Sequence, residues 1–253
     1  NMGRVDPIGD AEVIMTELIL ADVESAQSQL QKNQKKARGQ DKDAAANVAL
    51  LEKLIPHLDE GKPANLLAMD EDERERLKYF FLLSAKSMLY ACNLKEEEIA
   101  DPSSNEHLAK FQEWAASQQN ADCCVISAKM EEELSELPDE DAKEYLVAMG
   151  VSDSGVSSLI KSTYKLLGLA SFLTAGEKEA RAWTFTQGMT APQCAGVIHT
   201  DFEKNFIKAE VVSYPDLIEA GSMQSARESG KWRLEGKEYL FMDGDVVLFK
   251  CNA

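Results

Sequence analysis

Two short polar loops carry the side chains of this chain that are best suited to contact a small ligand. One loop follows the apolar run 88–92, and the other follows the apolar run 123–126. Apolar runs of this length that end in polar residues predict buried strands. Because ligands of open parallel sheets bind beyond the carboxyl ends of the strands, both loops are expected at one binding site. The candidate contact residues are Asn93, Leu94, Glu96, Ser127 and Ala128.

The first loop places the carboxamide of Asn93 three residues before the carboxylate of Glu96. A carboxamide can tie neighbouring loops together, and a carboxylate can accept two hydrogen bonds from a nucleobase. The pattern resembles the Asn-Lys-x-Asp sequence with which P-loop GTPases recognise guanine after a central strand. In this chain Leu94 stands in place of the lysine, and Glu96 is one methylene longer than the aspartate. A displaced carboxylate loses matched contacts to guanine, which can cost a factor of about 10⁴ in discrimination.

Neither loop is specific as a bare pattern. Asn-x-x-Glu fixes only two residues, so an ordinary polar loop remains the alternative interpretation of 93–96. The tripeptide Ser-Ala-Lys at 127–129 occurs a second time at 84–86. Only the copy at 127–129 follows a predicted strand, and we therefore assign only this copy to the site.

Residues 10–60 predict two antiparallel helices, because apolar side chains recur at helical spacing on both sides of a break at 39–41. Cations cluster near this break, and they are Lys32, Lys35, Lys36, Arg38 and Lys42. Two interpretations are open. The cations can complement the helix C-terminus as a solvated helix end, or they can contact phosphate groups.

The pattern up to residue 167 alternates strands with helices. After an acidic helix start at 69–73, one helix face is expected to be buried by Leu77, Phe80, Phe81 and Leu83. Further helices are predicted around 108–115 and at 130–137, 142–149 and 156–167, and later strands at 182–186, 206–212, 239–242 and 246–250. Alternation of this kind, with strands that are apolar throughout, implies a parallel sheet that is covered on both faces.

Composition limits the class of protein. The net charge of −17 over 253 residues argues against non-specific coating of nucleic acid. No window approaches 18 consecutive apolar residues and no signal-peptide pattern is present, so no membrane partner is expected. The five cysteines lack paired metal-ligand spacing, which favours free thiols in a reducing cytoplasm and no metal site. His199 and Asp201 are interpreted as a helix-terminal histidine and a turn aspartate.

A long and particular series of residues lies between 174 and 212. Its members are Arg181-Ala182-Trp183-Thr184, Ala191-Pro192-Gln193, Gly196, Ile198-His199-Thr200-Asp201-Phe202-Glu203-Lys204 and Phe206-Ile207. The series closely resembles the start of the C-terminal TGS domain of the YchF / Obg-like ATPase family. In that family the TGS domain is a β-grasp module and is not catalytic.

The resemblance implies an α/β fold. A helical hairpin, which is a coiled-coil insertion, would span 1–62, and the C-terminal half of a Rossmann-like P-loop NTPase domain would span 63–173. A β-grasp TGS domain would follow at 174–253. No Gly-x-x-x-x-Gly-Lys-[Ser/Thr] motif occurs in the chain, so it resembles only the C-terminal two thirds of such a protein, without the phosphate-binding half.

The resemblance also implies a function. Family members are cytoplasmic ATPases that prefer ATP to GTP and bind ribosomes, and they carry the Asn-x-x-Glu form of the base-recognition loop. We therefore expect ATP and a ribosome or ribosomal RNA as partners, no DNA partner, base contacts from the two loops, and RNA contacts from the cations near 39–41. No catalytic residue is expected in this chain, and the ligands of Mg²⁺ are expected in the missing N-terminal half. The alternative is a non-enzymatic RNA- or ribosome-binding adaptor without nucleotide dependence.

Overall fold

The structure of the chain is a computed structural model that describes residues 5–176 and 179–252. Residues 1–4, which belong to the predicted hairpin, and residue 253 lie outside the described parts. Residues 177–178, which fall within the stretch that resembles the TGS domain, also lie outside them.

The fold is mixed α/β and consists of two compact units, residues 1–162 and residues 163–253. The described helices of the first unit are α1 (Pro7–Ala37), α2 (Lys42–Asp59), α3 (Glu71–Lys78), α4 (Glu96–Ile99), α5 (Glu106–Ser117), α6 (Ala128–Glu136) and α7 (Asp139–Ala148), and its strands are β1 (Met88–Asn93) and β2 (Ala121–Ile126). Helix α8 (Gly155–Leu166) runs from the first unit into the second. The second unit contains strands β3 (Leu169–Ala175), β4 (Ala180–Thr186), β5 (Phe206–Ser213), β6 (Arg233–Glu235) and β7 (Asp245–Cys251), and helices α9 (Ala191–Ile198), α10 (Thr200–Lys204), α11 (Tyr214–Ala220) and α12 (Met223–Glu228). None of the described helices is long and apolar enough to cross a membrane.

Helices α1 and α2 pack against each other along an apolar stripe. The Asp6 carboxylate caps α1 by accepting from the Gly9 N–H at 3.1 Å, and Asp41 caps α2 through the Ala44 N–H at 3.0 Å. The buried apolar residues of the stripe include Ile19, Ala26, Leu50, Leu51, Leu54 and Leu58. The predicted break at 39–41 lies in the turn that joins the two helices.

A buried carboxylate on α1 holds the segment that follows α3. Asp22 accepts hydrogen bonds from the backbone N–H groups of Leu83 and Ser84, both at 2.7 Å, and from the Ser84 hydroxyl at 2.6 Å. Two turns further along α1, the Gln29 side chain donates to the Phe80 carbonyl at 3.0 Å. Because hydrogen bonds to a carboxylate are about twice as strong as neutral ones, the path of this segment is fixed.

The expected burial of Phe81 and Leu83 is wrong. Phe81 is 78% exposed and Leu83 is 41% exposed, whereas Leu82 is buried. Leu77 and Phe80 are buried as expected. Helix α3 ends before Phe81, which adopts a φ of 54° in a left-handed turn. The helical periodicity on which the expectation depends therefore stops at the end of α3.

Strands β1 and β2 pair in parallel, so that their carboxyl ends lie side by side. Helix α5 packs beside β1, where the Tyr90 ring lies 5.2 Å from that of Phe111 and 5.5 Å from that of Trp114. Both predicted strands are present, but the expected burial of the run 88–92 on both faces is wrong, since Ala91 is exposed. Among the described strands β1 pairs with β2 alone, and an edge strand remains partly open to water.

A five-stranded mixed sheet with the strand order β4-β3-β7-β5-β6 forms the second unit. Strands β3 and β7 are parallel, and the other neighbouring strands are antiparallel. Helix α9 begins after Thr190, whose N–H donates to the Gln193 side chain at 2.8 Å. Its residues Cys194 and Ala195 are fully buried in the core of the unit. The aromatic rings at this core belong to Phe172, Phe185, Phe206 and Phe241, with Trp183, Tyr239 and Phe249 packed against them.

Three of the predicted strands occur in this sheet as β4, β5 and β7, and a fourth prediction is wrong. The predicted strand at 239–242 is a loop with a single bridge at Leu240. The buried Asp245 carboxylate bends this loop, since it accepts from the Tyr239 hydroxyl at 2.7 Å and from the Met242 N–H at 3.0 Å. The Met242 N–H, which a strand would use for pairing, is therefore bonded to a side chain.

Strands β3 and β6 are present without having been predicted. Strand β3 begins at Leu169, before the predicted domain start at 174, and it pairs with β4 as far as Ala175. Residues 169–173 therefore belong to the sheet of the second unit. Strand β6 is only three residues long and lies in a stretch whose glycines indicated a loop.

Candidate functional site

The two candidate loops lie side by side at the carboxyl ends of β1 and β2. The Asn93 Oδ1 atom accepts a hydrogen bond from the Ala128 N–H at 2.9 Å. The Leu94 N–H donates to the Ile126 carbonyl at 2.8 Å, which extends the strand pairing into the loops. The Asn93 side chain therefore ties the two loops together.

The loops line a pocket of about 340 Å³. Its lining residues are Asn93, Leu94, Lys95, Glu96, Glu97, Ser127 and Lys129. Four of the five candidate contact residues thus face one pocket, and the fifth, Ala128, is exposed and bonded to Asn93. The volume falls within the range of small-molecule sites.

Ser127 offers the pocket an unused hydrogen-bonding group. The residue is 3% exposed, and its Oγ atom has no hydrogen-bond partner within the described part of the chain. A buried hydroxyl without a partner costs about 1–3 kcal/mol of stability. The Ser127 hydroxyl is therefore available to donate to, or accept from, a polar group of a ligand.

Glu96 takes part in a network of charged and polar side chains. Its Oε2 atom lies 2.5 Å from the Lys129 Nζ atom, and the Tyr145 hydroxyl lies 3.3 Å from its Oε1 atom. The same hydroxyl lies 2.8 Å from a carboxylate oxygen of Glu133. The hydrogen bond to Lys129 holds the pKa of Glu96 below its usual value, and the same contact raises the pKa of Lys129. The two groups therefore stay charged and paired near neutral pH.

The sequence does not predict the whole of this network. Lys129 belongs to the tripeptide that marks the second loop, but its pairing with Glu96 has no local signal. Tyr145 lies on α7, far along the chain from Glu96, and its hydroxyl also contacts Glu133 on α6. The bond to Glu133 raises the pKa of Tyr145 to about 12, so the hydroxyl remains a donor at neutral pH. Contacts of this kind arise between helices that are distant in the sequence.

The candidate RNA-contacting cations lie at the end of α1, in the turn after it and at the start of α2. They are Lys32, Lys35, Lys36, Arg38 and Lys42, and all are exposed. None of them forms an ion pair with another residue of the described ranges. Lys35 and Lys36 occupy the last turn of α1, where cations complement the helix dipole. The geometry thus leaves all five charges available to a partner.

The histidine and cysteine side chains form no second candidate site among the described residues. His199 joins α9 to α10, and its Nδ1 atom accepts from the Asp201 N–H at 3.2 Å, which confirms the interpretation as a helix-terminal histidine. The interpretation of Asp201 as a turn residue is wrong, since it lies in the first turn of α10. Burial raises the pKa of the Cys92 thiol and of the Cys194 thiol to about 12. No group of three or more potential metal ligands occurs among the residues that the structure describes.

Comparison with known proteins first defines the class. The chain is similar in structure to the Schizosaccharomyces pombe YchF GTPase, with a TM-score of 0.76 and 32% sequence identity over 98% of this chain and 67% of that one. A family model named YchF-GTPase_C, described as a protein of unknown function (DUF933), matches residues 169–252. The fold is thus similar to that of this α/β GTPase.

Curated relatives then identify the family. The ribosome-binding ATPase YchF of Bacillus subtilis is 48% identical over 251 residues, which cover 99% of this chain and 68% of that protein. The protein of the same name from Escherichia coli O157:H7 is 41% identical over the same shares of both chains. The chain therefore belongs to the YchF family.

Proposed function

We propose that this chain is part of an ATP-preferring P-loop hydrolase that binds ribosomes, and that it supplies base recognition and partner contact. The observation that carries the proposal is the hydrogen bond from the Ala128 N–H to Asn93, which joins the two loops into one pocket. The base contacts are assigned to Asn93, Leu94, Glu96, Ser127 and Ala128. The names of the Bacillus subtilis and Escherichia coli relatives support the ribosome-binding ATPase.

The pocket fits the base of ATP better than its phosphates. Leu94 supplies an apolar wall, and the Ser127 hydroxyl supplies a hydrogen-bonding group without a partner in the described chain. The sequence holds no P-loop motif, and the described residues hold no cluster of metal ligands. Bound ATP would supply the phosphoryl group that is transferred to water, while Mg²⁺ and the phosphates require groups beyond those described. The residues of this chain bind and orient the base.

The ion pair of Glu96 supports a preference for ATP over GTP. Recognition of guanine by a carboxylate requires both oxygens to accept from the N–H groups of the base. In this structure one oxygen of Glu96 is bonded to Lys129 and the other lies near the Tyr145 hydroxyl. The bond to Lys129 leaves fewer acceptors for the paired N–H groups of guanine, and rejection of guanine is expected from the loss of matched contacts.

The domain organisation of the chain is proposed from its resemblance to the YchF / Obg-like family. Helices α1 and α2 would form the coiled-coil hairpin, residues 63–173 the C-terminal half of the nucleotide domain, and the second sheet the TGS domain. The cations near 39–41 would contact ribosomal RNA. A cytoplasmic protein is consistent with these partners.

Replacement of Asn93 with Ala is expected to weaken ATP binding about tenfold, since it removes the bond that joins the two loops. The measurement is a calorimetric titration of ATP into the protein that also carries the phosphate-binding motif. Asn47→Ala serves as the control, because it removes a hydrogen-bonded carboxamide from α2, outside the pocket. Equal affinity of Asn93→Ala and wild type would contradict the proposed site. Ribosome binding that is independent of ATP would favour the non-enzymatic adaptor.

A further inference from the structure

We propose that Tyr79 and Phe81 form a stacking platform for unpaired bases of RNA beside the cations of α1. The inference rests on the proposed ribosome binding and adds to it a site for nucleobases, which the cations alone do not provide. The platform lies in the turn that follows α3.

Both aromatic side chains are largely exposed to solvent. Tyr79 is 73% exposed and Phe81 is 78% exposed, although burial of an aromatic side chain is normally a large source of stability. Phe81 also adopts a φ of 54°, a conformation that is a genuine outlier for a bulky residue. A ring that is both exposed and held in a strained backbone indicates a role outside the core.

The turn that carries the rings has a fixed path. The Gln29 side chain donates to the carbonyl of Phe80, the residue between the two rings, at 3.0 Å, and Phe80 itself is buried. Beyond Phe81, the Asp22 carboxylate holds the N–H groups of the next segment. Because the backbone is held on both sides of Phe81, stacking on the rings requires little ordering of the chain.

The platform borders a groove with cations on its opposite side. The groove has a volume of about 460 Å³, and one face of α1 lines it with Ser25, Ser28, Gln29, Lys32, Asn33 and Lys36. Lys32 and Lys36 lie one helical turn apart, and neither forms an ion pair with a residue of the described ranges. Rings on one side and unpaired cations on the other match the bases and phosphates of a nucleotide strand.

Charge and shape favour single-stranded RNA over other partners. The chain carries a net charge of −17, yet Lys32 and Lys36 line this groove without an ion pair in the described ranges, which makes the groove complementary to a polyanion. Exposed aromatic rings beside a cationic groove are the recognition mode of single-stranded nucleic acids, whose bases present open faces. The bases of a duplex are stacked on each other and cannot reach the rings.

The test compares an unstructured RNA of about 12 nucleotides with a blunt duplex of the same composition, by fluorescence anisotropy over a salt series. The double variant Tyr79→Ala/Phe81→Gly is expected to bind the single strand about 5- to 150-fold more weakly for each stacked base lost. The slope of its log affinity against log salt should equal that of wild type, because stacking on uncharged rings displaces no counterions from the RNA. Lys32→Gln/Lys36→Gln should instead reduce the slope by about 1.4.

Two further variants separate stacking from a folding defect. Glycine adopts positive φ without strain, so Phe81→Gly is expected to fold at least as stably as wild type. Phe81→Trp keeps a ring and should retain binding of the single strand. Val147→Ala removes an equally exposed apolar side chain from α7 and should leave binding unchanged.

The outcomes are distinguishable. Equal binding of the single strand by Tyr79→Ala/Phe81→Gly and wild type overturns the inference. An equal loss of affinity for the single strand and for the duplex also overturns it. If wild type binds ribosomes and the ring variant binds them equally well, the platform is refuted while the proposed function stands. If wild type binds neither ribosomes nor RNA, the proposed ribosome binding and the platform are both refuted.

Discussion

A variant in which Lys32, Lys35, Lys36 and Arg38 are replaced with glutamine is expected to bind ribosomes far more weakly than wild type. Each lost phosphate contact reduces the slope of log affinity against log salt by about 0.7–0.9, so four contacts reduce it by about 3. The affinity gap should be largest at low salt and should narrow as salt rises. Co-sedimentation with ribosomes over a salt series measures both quantities.

A matched control separates contact from net charge. Four exposed lysines elsewhere in the first unit are suitable for this control, namely Lys86, Lys110, Lys143 and Lys161. Their replacement with glutamine changes the net charge by the same amount and is expected to leave the slope nearly unchanged. ATP affinity should be unaffected in both variants, since none of these residues lines the base pocket. Equal behaviour of the two variants would leave the cations near 39–41 as a solvated helix end.

The double variant Leu94→Lys/Glu96→Asp is expected to shift the nucleotide preference from ATP toward GTP. Aspartate is one methylene shorter, so its carboxylate withdraws from Lys129 and recovers acceptors for the guanine N–H groups. Matched polar contacts of this kind contribute discrimination of up to about 10⁴. Parallel titrations of ATP and GTP into the protein that carries the phosphate-binding motif measure the ratio of affinities.

Glu97→Asp is the control for this shift, because Glu97 lines the same pocket and undergoes the same shortening. Its ratio of ATP to GTP affinity should equal that of wild type. An unchanged ratio in the double variant would show that contacts other than Leu94 and Glu96 determine the choice of base.

The parts of the site that could be predicted from sequence are those set by local patterns. The apolar runs before Asn93 and Ser127 predict strands, and parallel pairing brings their carboxyl ends together without further information. The helix boundaries around 39–41 follow equally from apolar spacing and from the capping aspartate at Asp41. The strands and helix boundaries depend on residues within a few positions of one another, and the parallel pairing follows from the strand–helix–strand order.

The parts that could not be predicted depend on distant contacts or on exceptional backbone conformations. Tyr145 reaches Glu96 only because α7 packs near the first loop. Phe81 continues an apolar run, and only its positive φ turns the ring into water. The run at 239–242 has the composition of a strand, but the buried carboxylate of Asp245 bends it into a loop. Side-chain contacts of this kind override local propensity.

The loops at 93–97 and 127–129 are proposed to hold the base of ATP. The most direct test is photolabelling with 8-azidoadenosine triphosphate of the protein that carries the phosphate-binding motif, followed by identification of the labelled peptides. Label is expected within these two loops, and excess ATP should displace it much more effectively than the same concentration of GTP. Label confined to other segments, or displaced equally by both nucleotides, would contradict this proposal.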